Sequence, residues 1–85
     1  MLIDEIKALL TQEFHPVSLE VEDESHRHHG HVGARPGGET HFRVRIVAEA
    51  FRGKSRIETH RMIYEVLGDH MRERIHALAI DAKAP

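Results

Sequence analysis

The chain has 85 residues, 40% of them apolar, 31% charged and only four aromatic, which allows one small domain (residues 1–85) with a modest aliphatic core and no roomy enzyme cavity. Fourteen acidic against twelve basic residues give a net charge of −2, so there is no bulk attraction to nucleic acid or an anionic membrane. With no cysteine there is no disulfide scaffold, no thiol nucleophile and no zinc-ribbon or iron–sulfur site built from the chain's own sulfur, whereas nine histidines raise the prospect of a metal-linked or pH-linked role.

Leu2, Ile3, Ile6, Leu9, Leu10 and Phe14 recur at three- and four-residue steps opposite Asp4, Glu5, Lys7 and Glu13, the pattern of an amphipathic helix that Pro16 ends. Its acidic start and periodic apolar residues fit neither a signal peptide nor a membrane span, so a cytoplasmic protein is expected. Val17 to Glu22 then alternates with period two, predicting a strand with one buried face.

From Asp23 to Glu39 the apolar pattern vanishes into a stretch rich in Gly, His and Arg, a loop long enough to suggest function. Alternation returns at Thr40–Val47, with Phe42, Val44 and Ile46 on one face and His41, Arg43 and Arg45 on the other, where an exposed polar surface is expected. Ser55-x-x-Glu58 fits a capping box and opens a helical stripe of Ile57, His60, Ile63, Tyr64, Leu67 and Met71 that reaches about Arg74 and allows a break into two helices. On that stripe His60, Tyr64 and Met71 are expected in the core, while His15 and His70 are expected at the surface or at helix ends. Ile75 to Ile80 alternates again as a third strand.

The first two strands are adjacent in sequence and should pair antiparallel, whereas the long crossover to the third suits a parallel pairing. The expected architecture is α/β: a three-stranded mixed sheet with helices packed on one face, in the αββααβ order of a class II KH-like domain.

The strings Glu39-Thr40-His41-Phe42, Phe51-x-Gly53-Lys54-Ser55, His60-Arg61-x-Ile63-Tyr64 and Ile75-His76-Ala77-Leu78, in this order and spacing, closely resemble the BolA family of small proteins. The resemblance covers nearly the whole chain, and it implies a non-enzymatic adaptor in iron–sulfur and iron homeostasis. BolA-like proteins pair with monothiol glutaredoxins of the CGFS type and share a [2Fe–2S] cluster with the glutaredoxin cysteine and glutathione. On the BolA side the family's ligands are the histidine of the Ile-His-Ala segment, here His76, and a His or Cys in the loop between the first two strands.

The loop offers His26, His28, His29 and His31. His31 is preferred because the flanking Gly30 and Gly33 let the backbone bend close to a cofactor, and His28 is second. Histidines in place of thiolates, as in Rieske centres, raise a cluster's potential, and a mixed shell is expected to be labile and responsive to pH and redox state. The isolated chain is expected to be a monomer that holds no stable cluster.

Some family members also bind DNA. The alternative is therefore a DNA-binding regulator using Arg52, Lys54, Arg56 and Arg61 around the start of the long helix, in a helix-turn-helix-like region spanning residues 52–64. Gly30-x-x-Gly33 imitates the GxxG of RNA-binding KH domains, but it lies between strands rather than between helices, which disfavours that mode. No nucleophile–base set, phosphate-binding loop or dinucleotide fingerprint points to catalysis.

Overall fold

The computed structural model describes residues 2–24 and 41–85. Helix α1 (Leu2–Phe14) buries Leu2, Ile6, Leu10 and Phe14, the stripe read from the sequence. It ends where His15 takes a positive φ of 46° and donates its N–H to the Thr11 carbonyl (3.0 Å), one residue before Pro16.

Strand β1 (Ser18–Asp23) runs antiparallel to β2 (His41–Val47), and β2 runs parallel to β3 (Ala77–Lys83), giving the sheet order β1-β2-β3. Between β2 and β3 the chain passes through a 3-10 turn (Glu49–Phe51), α2 (Arg56–Leu67) and α3 (Asp69–Glu73). Val44 and Ile46 of the central strand are essentially inaccessible and form one core with Ile6 and Leu10 of α1 and Ile63 and Leu67 of α2. Both helices therefore cover the same face of the mixed sheet, as expected from the binary pattern.

The opposite face carries cross-strand charge pairs. Arg45 donates to Glu20 at 2.9 Å and lies 3.6 Å from Glu22, and Arg43 reaches diagonally to Glu24 at 3.2 Å. An acidic β1 against a basic β2 thus helps hold the register that the apolar face dictates.

Ser55 and Glu58 form the capping box read from their spacing: the Ser55 N–H donates to Glu58 Oε1 (2.9 Å) and the Glu58 N–H to Ser55 Oγ (3.1 Å). Gly68, at φ 44° and ψ −115°, separates α2 from α3 in backbone space that glycine enters without strain.

Three sequence expectations are corrected. The third strand begins at Ala77 rather than Ile75, because the Ile75 N–H is committed to the His70 carbonyl (2.8 Å) at the end of α3, and it extends to Lys83. The expected loop 23–39 starts later: Asp23 still pairs with Phe42, and the Glu24 N–H donates to the His41 carbonyl (2.8 Å). On α2 the buried line is Thr59, Ile63 and Leu67, while Ile57 and Tyr64 are 65% and 41% exposed. The apolar letters at 57 and 64 suggested a stripe rotated from the one that Met62 and Val66 help define against the core.

Candidate functional site

His41 opens β2, and its Cα partner in the parallel ladder is Ala77, the first residue of β3. His76 immediately precedes that partner and closes the turn out of α3. The register therefore brings two histidines, distant in sequence, to the same end of the sheet. Their ring centroids are 5.0 Å apart, and the ring planes are tilted by 57°.

The two rings differ in environment. His76 is exposed and available to a ligand or partner, whereas His41 is buried, as is its cross-strand neighbour Glu24. The polar surface expected at His41 is corrected on this point. The alternation assigned His41 to the right face of the sheet, but periodicity does not report what covers a face at its end. Among the described residues no buried polar side-chain atom lacks a hydrogen-bond partner, so this burial is satisfied.

His28 and His31 lie outside the described residues, as do His26 and His29. Among the described residues no three His, Cys, Asp or Glu side chains gather in a way that could hold a metal ion. What the described chain presents is a pair of imidazoles, one open and one packed behind it. Imidazole nitrogen suits iron, zinc and copper, and two such donors make only part of the four-ligand shell that a cluster needs.

Of the remaining histidines, His15 is exposed and His70 half-buried, each at a helix end. His60 is half-buried and lines a cavity rather than the core.

The four cations of the nucleic-acid alternative do not act as a group. Arg52 donates to both carboxylate oxygens of Glu49 (2.6 and 3.2 Å), a pairing that raises its pKa further and holds the Glu49 carboxyl below its ordinary value, and it also donates to the Pro85 carbonyl (3.0 Å). Lys54 and Arg56 turn to the cavity that His60 lines, and Arg61 is exposed outside it. No described helix is long and apolar enough to cross a membrane.

Comparison with known proteins agrees with this architecture. The chain is 49% identical over 84 residues to SufE-like protein 1, chloroplastic/mitochondrial, of Arabidopsis thaliana, covering 94% of this chain but only 23% of that protein. It is 40% identical over 80 residues to the DNA-binding transcriptional regulator BolA of Escherichia coli, covering 94% of this chain and 72% of the relative. Among solved structures, the BolA domain of SufE1 from Arabidopsis thaliana superposes with a TM-score of 0.87 at 48% identity, over 98% of this chain and 91% of that one. The model of the BolA-like protein family matches residues 10–85, and on this match, together with the fold, the chain belongs to the BolA-like protein family.

Proposed function

We propose that this chain is a non-enzymatic adaptor that joins a monothiol CGFS glutaredoxin and holds a [2Fe–2S] cluster together with the glutaredoxin cysteine and glutathione, in iron–sulfur or iron homeostasis. The observation that supports this most is the exposed His76 ring backed by the buried His41 ring at 5.0 Å. An imidazole held against a packed neighbour is partly pre-oriented, which lowers the ordering cost of ligation. The donor set fits a shared cluster, because nitrogen comes from this chain and thiolate sulfur, which a cysteine-free sequence does not supply, comes from the partner and glutathione.

In this reading His76 is one ligand, and the second comes from the 25–40 segment, with His31 preferred and His28 next. His41 is a positioning residue behind His76. The cluster would supply one-electron redox chemistry or be passed on as cargo. The chain alone is a cytoplasmic monomer without a stable cluster.

The nucleic-acid alternative has the name of the Escherichia coli relative in its favour. Against it stand the net charge of −2 and the commitment of Arg52 to Glu49.

The test is anaerobic mixing with purified CGFS glutaredoxin, glutathione, iron and sulfide. A mixed species whose visible circular dichroism differs from that of the glutaredoxin alone, and which is lost in His76→Ala, is expected. A spectrum indifferent to that substitution removes His76 from the ligand set.

A further inference from the structure

The opposite end of the sheet holds a feature that the cluster reading leaves unused. The start of α2 and the end of β3 enclose an open cavity of about 500 Å³. This is within the range of small-molecule sites. The nearest lining residue on β3, Ile80, is four residues from His76, about 13 Å at some 3.3 Å per residue, so both sites can be occupied at once.

The lining has two parts. Phe51, Ile80, Ala82 and Ala84 contribute apolar surface, and Lys54, Arg56 and Lys83 bring three cations from two separate elements, with His60 beside them. Asp81 is the only carboxylate in the lining. Elsewhere, Arg43, Arg45, Arg52 and Arg74 each have a carboxylate within 4 Å, but among the described residues Lys54, Arg56 and Lys83 have none. The acid nearest in sequence, Glu58, is hydrogen-bonded to Ser55 in the capping box and feels the Lys54 charge only as a lesser influence.

Three cations beside a single carboxylate leave an excess of positive charge, and an anion placed among them offsets their mutual repulsion and adds charge-assisted hydrogen bonds. Lys and Arg stems can also lie along the apolar body of a ligand.

We propose that this cavity is a binding site for a small phosphate monoester with a flat or apolar body, the phosphate held by Lys54, Arg56 and Lys83 and the body lying over Ile80 and Ala82. The small volume and part-apolar lining suit a compact ligand with an apolar body better than the evenly charged backbone of a duplex. The site is independent of the cluster reading and stands or falls separately from it.

The experiment is an amide chemical-shift titration of the chain with adenosine 5′-monophosphate, using adenosine as the uncharged control and a short DNA duplex as the rival anion. Adenosine 5′-monophosphate is expected to give saturable shifts confined to residues 51–60 and 80–84, which adenosine does not reproduce. Binding should weaken by about tenfold or more in Lys54→Gln/Arg56→Gln and in Lys83→Gln, because each loses charge-assisted hydrogen bonds. The replaced side chains are exposed, and an unchanged spectrum elsewhere in the variants verifies their fold. Shifts that are absent, scattered or unchanged in the variants overturn the proposal, and so does a response to the duplex alone.

Discussion

The imidazole of His41 stands 5.0 Å from that of His76, tilted by 57°, because the parallel pairing of β2 with β3 sets His41 opposite Ala77. This contact joins the opening residue of the central strand to the residue just ahead of β3. It gives the exposed ring a fixed neighbour where a free strand end would leave it to rotate.

That contact predicts a distinct behaviour for His41. Replacing it with alanine removes the packing neighbour but leaves His76 in place, so the mixed cluster species should still form with its nitrogen ligand. It should lose its cluster faster to a chelator, by about tenfold or more, in line with changes behind a metal ligand. His41→Phe, which keeps an aromatic ring there, should restore much of the retention. Equal loss in both variants would mean that ring packing is not what matters.

The core makes a plain prediction for stability. Ile63 is wholly inaccessible on the inner line of α2, alongside Thr59 and Leu67. Ile63→Ala should cost about 2–5 kcal/mol in urea denaturation with an unchanged m-value. The exposed Ile57 should tolerate alanine at well under 1 kcal/mol, as surface positions do. Comparable losses at the two sites would contradict the observed phase of the helix.

The helix cap predicts a pH dependence. The Ser55 N–H, then the Ser55 hydroxyl and the nearby Lys54 and Arg61 charges, hold the Glu58 carboxyl below its ordinary value of 4.5. A carboxyl depressed in the folded state stabilises it above the unfolded value, and that contribution is lost as the pH falls through the folded value. Glu58→Ala should therefore be less stable than the parent at neutral pH, with the charge-dependent part of the gap closing progressively below 4.5. Ser55→Ala should cost about 1 kcal/mol at neutral pH. A gap for Glu58→Ala that widens on acidification would contradict the cap.

Much of this arrangement is legible in the residues. Period-two alternation in residues 41–47 and helical spacing in 2–14 report burial that is decided locally, and the Ser55–Glu58 box is a local hydrogen-bond pattern. The start of β3 was less legible, because whether Ile75 bonds to β2 or back to His70 depends on how α3 ends. The burial of His41 and its contact with His76 were not legible either, since they arise from strand register and not from either neighbourhood in sequence. The cavity at Lys54, Arg56 and Lys83 has no local signature for the same reason: Lys83 lies beyond the alternating run of residues 75–80, and only the longer β3 brings it beside α2.

In the proposed function an imidazole nitrogen of His76 binds iron in a cluster completed by a partner's sulfur. Electron–nuclear double resonance on the reduced mixed complex, with only this chain labelled with nitrogen-15 histidine, reads that bond. Nitrogen couplings from this chain's imidazoles are expected, with one set missing in His76→Ala. Couplings that are absent from the parent complex, or unaltered by the substitution, would contradict that ligation.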